Sequence, residues 1–277
     1  MPRVAVCSVK NGRKYMEDRF VVCKNVAPDT HLMAVFDGHG GYQVADISSV
    51  VIPKLIKSRL YDQGKELNSF LMQAEVLSTS IAEADEKMSQ IMKSADLDPT
   101  FINLLSQCGS TACIALMKSN NLTVANLGDS RALLLTDFIG DLQQLSVDHK
   151  PGADQERLRI ESLGGFVANI FGTERVMGNL SLSRALGDWY ERPFISQYPE
   201  IMHVTLEKKH TALVIASDGL WDVMSNIDVQ RIIHREVSSP KDKNKNVSRA
   251  LVEEAIKRQS MDNITVIYIN LNDLSAE

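Results

Sequence analysis

An α+β fold, with antiparallel sheets and helices packed outside them, is predicted by three features of the sequence. Short β-type runs and longer helical stretches come in blocks rather than in strict alternation. Clusters of Gly, Asn, Asp and Ser punctuate the β-type runs, and no G-x-G-x-x-G follows a strand as a Rossmann-like parallel sheet would ask. Two stretches carry apolar residues at steps of three and four, the period of a helix with one buried face.

The chain opens with β-type runs at residues 4–9, 20–23 and 32–36, the last ending in the turn-forming cluster Asp37-Gly38-His39-Gly40-Gly41. Residues 42–60 set Val44, Ile47, Val51 and Leu55 on one stripe, which predicts a helix. Residues 68–92 carry Phe70, Ala74, Leu77, Ile81, Ala84, Met88 and Ile91 over nearly six turns. Their flanks are not patterned as charged pairs, so one long helix on a sheet is predicted rather than a coiled coil. Runs at 111–117, 122–127 and 132–135 follow, parted by the hairpin signal Ser119-Asn120-Asn121 and by Gly128-Asp129-Ser130. Residues 148–192 are more polar and read as a surface excursion with one short helix near 153–163. A strand at 212–216 ends in Ser217-Asp218-Gly219; helices near 226–237 and 247–258 and a closing strand at 264–271 complete the order. Lys241-Asp242-Lys243-Asn244-Lys245 reads as a solvated loop. With no linker, repeat or low-complexity tract, residues 1–277 are expected to form one domain.

An apolar share of 44% and a charged share of 23% are those of a soluble globular protein with a sizeable core. A formal net charge of −5 offers no broad footprint for nucleic acid and no basic segment to hold a membrane surface. No run of about 18 apolar residues would span a bilayer. Met1-Pro2-Arg3-Val4 has no signal-peptide core, and Pro2 excludes N-myristoylation. Cys7, Cys23, Cys108 and Cys113 show no C-x-x-C spacing and the six histidines are scattered, so reduced thiols and a cytoplasmic or nuclear location are expected.

Acidic residues stand repeatedly at strand ends beside turn residues. Asp37-Gly38, Gly128-Asp129 and Asp218-Gly219 follow β-type runs, the last with Asp222 one turn on; Glu17-Asp18 and Asp262-Asn263 precede them. Each alone is a favoured turn pair. If the five ends converge, their carboxylates repel one another unless cations sit among them, and hard ions such as Mg²⁺ or Mn²⁺ take oxygen ligands.

Nine stretches resemble, in order, the type 2C metal-dependent family of protein serine/threonine phosphatases. They are residues 13–18 (RKYMED), 35–41 (VFDGHGG), 109–112 (GSTA), 126–132 (NLGDSRA), 148–151 (DHKP), 156–167 (ERLRIESLGGFV), 178–188 (GNLSLSRALGD), 216–223 (ASDGLWDV) and 262–266 (DNITV). The resemblance implies a four-layer α-β-β-α sandwich: two antiparallel sheets face to face, helix pairs outside, and a flap at about 148–192. It also implies a centre of two Mg²⁺ or Mn²⁺ ions. Asp37 would bridge them, Gly38 would supply a carbonyl ligand, Glu17 would hold one ion and Asp218 and Asp262 the other; Asp129 and Asp222, with Asp218, match a weaker third site. Two cations about 3.5–4 Å apart can activate a shared water for in-line attack on phosphorus. Arg13 matches the phosphate-binding arginine, His39 the general acid for the departing seryl or threonyl oxygen, and Asp18 an orienting group. Thr111 and Ser183-Arg184 are expected to serve packing or strand-end hydrogen bonding.

The resemblance implies phosphorylated proteins as partners of a monomeric enzyme, with no nucleic acid or membrane. The short flanks around the motifs imply that long terminal extensions found in some members are missing. A pseudophosphatase binding module would lack metal ligands, and every expected ligand position is filled. A phosphohydrolase of small phosphomonoesters is the other alternative.

Overall fold

The computed structural model describes residues 3–62, 69–93, 98–238 and 246–272. The Lys241 to Lys245 run lies outside the described residues. Strands β1 (Arg3–Val9), β2 (Arg19–Ala27) and β3 (Thr30–Phe36) lead to the two-residue β4 (Gly38–His39). Helices α1 (Gln43–Asp62), α2 (Phe70–Met92) and α3 (Pro99–Ser106) come next. Then follow β5 (Gly109–Ser110), β6 (Ala112–Lys118), β7 (Asn121–Leu127), β8 (Arg131–Thr136) and β9 (Leu142–Gln144). The excursion holds α4 (Asp154–Ser162), the hairpin β10 (Val167–Ile170) and β11 (Thr173–Val176), β12 (Leu186–Gly187), and a 3-10 turn at Trp189–Glu191. Strands β13 (Glu200–Thr205) and β14 (His210–Ala216), helices α5 (Asp218–Trp221), α6 (Asn226–Val237) and α7 (Val247–Lys257), and β15 (Ile264–Asn270) finish the fold.

Two five-stranded antiparallel sheets carry the structure, ordered β13-β7-β6-β3-β2 and β1-β15-β14-β8-β9. Side chains alternate faces along a strand, so each central strand serves two cores. In β6, Ala112, Ile114 and Leu116 pack with Ile52, Ile56, Leu77 and Ile81 of α1 and α2. Cys113, Ala115 and Met117 point the other way, into a core shared with Leu213, Ile215, Ile267 and Ile269 of the second sheet. In β15, Ile264, Val266 and Tyr268 meet Val229, Ile233, Leu251 and Val252 of α6 and α7. The result is the four-layer α-β-β-α sandwich. Each fully buried Leu or Ile contributes roughly 1.5–3 kcal/mol, which makes the strand ends a rigid frame.

The hairpin between β6 and β7 forms where expected: Lys118 pairs with Asn121, and Ser119 takes a left-handed φ of 51°. Other features differ from expectation. The deepest face of α1 is Val44, Ala45, Ser48, Ile52 and Ile56; of the expected stripe Val44 is buried there, while Ile47, Val51 and Leu55 flank that face half-buried, one residue short of it. Helical side chains lean toward the N-terminus, so a stripe read from spacing alone can be offset by one position. In α2, Leu77, Ile81, Ala84 and Met88 are buried, but Phe70 and Ile91 at its two ends are exposed. Helix α3 and strands β9, β10, β11 and β13 were not foreseen: α3 has eight residues, β13 is half-buried along most of its length, and the others have three or four residues.

Candidate active site

One end of the sandwich opens as a cleft of about 590 Å³, walled by Glu17, Asp37, Gly38, Asp129, Asp218 and Asp262 together with Arg13 and His39. The strand-end acids therefore converge from both sheets. Local hydrogen bonds explain why each stands where it does. Asn263, at the start of β15, donates to the carbonyls of Lys10 (2.8 Å) and Tyr15 (3.0 Å) and accepts from the Glu17 backbone N–H (2.7 Å). It fastens the loop bearing Glu17 and Asp18 to the neighbour of Asp262. Thr111 clasps Asp37: its hydroxyl accepts from the Asp37 N–H at 3.0 Å, and its N–H donates to the Asp37 carbonyl at 2.8 Å. That hydroxyl also bonds Ser130 Oγ at 2.7 Å. Thr111 thus plays the strand-end role expected of it, as does Ser183, whose N–H and hydroxyl both donate to the His149 carbonyl.

Gly38 must be glycine, since a Cβ there would come within 2.7 Å of the Glu17 carbonyl oxygen. The first turn of α5, carrying Asp218, lies so close to β15 that a Cβ on Gly219 would overlap the Asn263 carbonyl. Ser217 ties the two sheets at this point. Its hydroxyl donates to Asp18 Oδ2 at 2.9 Å and accepts from the Thr265 N–H at 3.0 Å. Asp18 is buried behind the cleft wall, and its Oδ1 has no hydrogen-bond partner among the described residues. Asp222 stands one helical turn past Asp218, whose carbonyl accepts its N–H at 2.8 Å, and is not among the residues that wall the cleft.

The electrostatics are those of crowded acids. Burial raises the pKa of Asp37 well above the usual carboxylate range, and Asp18, Asp218, Asp129 and Asp262 push it further. Asp218 is raised likewise by burial and then by Asp129 and Asp222, against the pull of Lys150. Burial also raises Glu17, against Arg13 and His39, and Asp222, against Lys150. Asp18 is raised by burial despite hydrogen bonds that favour its anion. Among the described residues no three of these side chains close on a single point as a finished ligand set. The donor chemistry nonetheless fits hard divalent cations: only oxygen ligands, desolvated and mutually repelling.

Two acids meet protein cations. Arg13 Nη2 lies 2.5 Å from Asp262 Oδ2 at the cleft's rim. Lys150 Nζ lies 2.5 Å from Asp129 Oδ2. Burial opposes the Lys150 charge, but Asp129 outweighs it and holds the ammonium above its usual range. Lys150 was visible in the DHKP stretch, yet nothing in its spacing named Asp129 as partner. His39 has a partner the sequence reading also missed: its Nε2 stands 2.7 Å from Asp188 Oδ2. Burial would lower the imidazole's pKa; the Asp188 carboxylate reverses this and raises it.

The profile of the family described as Protein phosphatase 2C matches residues 3–264. The chain is 35% identical to Protein phosphatase 1L of Bos taurus, across 98% of this chain and 73% of that protein. It is 34% identical to the probable protein phosphatase 2C 75 of Arabidopsis thaliana, across 99% of this chain and 74% of that one. A C.elegans sex determining protein of known structure superimposes with a TM-score of 0.84 at 27% identity, covering 99% of this chain and 66% of that one. Serine-threonine phosphatase 2C from Toxoplasma gondii shares the fold, with a TM-score of 0.84 at 24% identity over 97% of this chain and 94% of its own.

Proposed function

The chain belongs to the protein phosphatase 2C family, a protein serine/threonine phosphatase by that membership, and from this premise we propose which of its residues do the work. The family generally uses Mg²⁺ or Mn²⁺. We assign Glu17, Asp37, the Gly38 carbonyl, Asp218 and Asp262 to two such ions, and Asp129 and Asp222 with Asp218 to a weaker third. Bound there, the ions would supply a water activated near neutral pH and a positive field for the phosphoryl oxygens. The observation that carries this assignment is the convergence of Asp37, Asp129, Asp218 and Asp262 on one cleft, each named in the electrostatic strain on Asp37 or itself under it.

The other roles follow from position. Arg13, half-exposed at the rim, presents a planar fork able to hold two phosphate oxygens, and Asp262 sets its direction. His39 gives a proton to the departing seryl or threonyl oxygen. Asp18, locked by Ser217, stays fixed behind Asp37. Residues 1–277 act as one catalytic domain with a flap at about 148–192, where Ile160, Val176, Leu182 and Ala185 form a small core with the neighbouring Ile195.

The substrates are phosphoproteins. Among the described residues no helix is long and apolar enough to cross a membrane; all four cysteines carry free thiols, which suits a monomer working in the cytoplasm or nucleus. Hydrolysis of a phosphothreonine peptide with Mn²⁺, and its disappearance with EDTA, tests the reading. Full turnover after exhaustive metal removal would sink it.

A further inference from the structure

His39 sits in a small sheet of its own, ordered β12-β5-β4, in which Gly109 of β5 faces His39 on one side and Gly187 on the other. Asp188 follows Gly187 with a left-handed φ of 46° and is 6% exposed. Gly109 forms the floor beneath the pair: a Cβ there would overlap both Asp188 Oδ2 and His39 Nε2. The strand bearing Asp188 is in turn nailed to α2. Asp85 Oδ1 accepts the Gly187 N–H at 2.9 Å, and Arg192 Nη2 stands 3.3 Å from both Asp85 oxygens. The same guanidinium donates to the carbonyls of Ala185 and Gly187. The Asp188 N–H donates to the Cys108 carbonyl at 3.2 Å. A carboxylate held this firmly, on a glycine floor, fixes the plane and the face of the imidazole it grips.

We propose that Asp188 is a positioning residue for the phosphatase reaction: it engages His39 through Nε2, so that Nδ1 is the atom that hands the proton to the leaving oxygen. The proposal rests on the reading of His39 as general acid. Nδ1 makes no hydrogen bond to any described residue. In the step, the oxygen of water bonds to phosphorus and releases a proton to solvent as the bond from phosphorus to the seryl or threonyl oxygen breaks. That oxygen keeps the bonding pair, takes the Nδ1 proton and leaves as a hydroxyl. Nε2–H stays bonded to Asp188 throughout, and His39 regains its proton from solvent. A hydrogen bond of 2.7 Å to a buried carboxylate set on a glycine floor restricts ring rotation.

Asp188→Asn and Asp188→Gly test this, since asparagine and glycine both accept a left-handed backbone. Asparagine keeps an acceptor for Nε2–H without the charge; glycine removes the acceptor. Turnover at saturating Mn²⁺ is measured on a phosphothreonine peptide and on p-nitrophenyl phosphate, whose leaving group needs no proton. Asp188→Gly is expected to lower kcat on the peptide by on the order of 10²-fold with little change in KM, and on p-nitrophenyl phosphate by about fivefold or less. Asp188→Asn falls between. Added to His39→Gln, Asp188→Gly should cause no further loss on the peptide. A selective loss in His39→Gln with none in Asp188→Gly, or additive losses in the double variant, overturns the proposal and leaves the role of His39 standing. Equal losses on both substrates in His39→Gln overturn that role and the proposal together. Nitrogen-15 NMR of the imidazole gives a readout free of activity, in Asp188→Asn as well should Asp188→Gly not fold. A protected Nε2 proton in the wild type, weakened in Asp188→Asn, is expected; the proton held at Nδ1 instead contradicts it.

Discussion

In the flap, Glu156 is 4% exposed and receives Arg184 at 2.6 Å and Arg159 at 2.9 Å. Burial alone would raise its pKa, but the hydrogen bonds of Arg184, Ser183 and Arg159 outweigh it and hold the carboxyl at about 2. At the cleft, Asp37 and Asp218 are surrounded by further carboxylates and are raised well above the ordinary range. One acid is matched by cations of the chain; the others are matched by none of comparable strength. A paired acid serves stability, whereas crowded acids held together against their repulsion are a signature of function. Lys150 beside Asp129 lies between these extremes.

Substitution should therefore act in opposite directions at the two places. Asp37→Asn is expected to lower turnover on phosphopeptide by on the order of 10³-fold, since an amide replaces the acid at the centre of the cleft. Its melting temperature without metal should equal or exceed that of wild type, because repulsion is relieved. Steady-state kinetics and a metal-free thermal melt check both halves. A variant that melts well below wild type would place Asp37 with Glu156 instead.

Glu156→Gln should show the reverse. It strands Arg184 and Arg159 around a neutral amide, and loss of one partner of a buried ion pair costs roughly 3 kcal/mol or more. Denaturant unfolding should move by that amount, while kcat measured well below the melting temperature changes only severalfold.

A smaller effect belongs to His149, which is 1% exposed and accepts the Gly128 N–H on Nδ1 at 3.1 Å. Burial pushes its pKa down to about 4 from 6.5, with Arg184 adding to the fall. The unfolded chain takes up a proton below pH 6.5 and the folded chain does not until about pH 4, so stability is full above 6.5 and declines between these values. The decline amounts to roughly 3 kcal/mol at most, at about 1.4 kcal/mol per pKa unit. Unfolding free energies across that window in wild type and His149→Asn should show a flatter dependence in the variant. Parallel curves would remove His149 from the account.

Much of this was legible in the sequence because it is local. A turn residue beside an acid at a strand end is chemistry within three or four residues, so Glu17, Asp37, Asp129, Asp218 and Asp262 can be named from it, and all five line one cleft. Partnerships across the chain were not legible. The clamp from Asn263 to Glu17 spans 246 positions and the bond from Asp188 to His39 spans 149, distances set by sheet register rather than by any local pattern. Helix α3, only eight residues long, was too short for periodicity, although Asp98 capping Thr100 and Pro99 in its first turn were readable signals. Asp222 enters the site only through the resemblance to a weaker third metal site; it stands one turn past Asp218, and its charge acts on that acid.

The most direct measurement is calorimetric titration of Mn²⁺ into the metal-stripped chain, in wild type and Asp37→Asn, with a thermal melt at each end point. About two ions are expected to bind per wild-type chain, with a rise in melting temperature on saturation, and most of that binding is expected to be lost in Asp37→Asn without loss of the fold. Equal Mn²⁺ binding and equal stabilisation in the two proteins would contradict this.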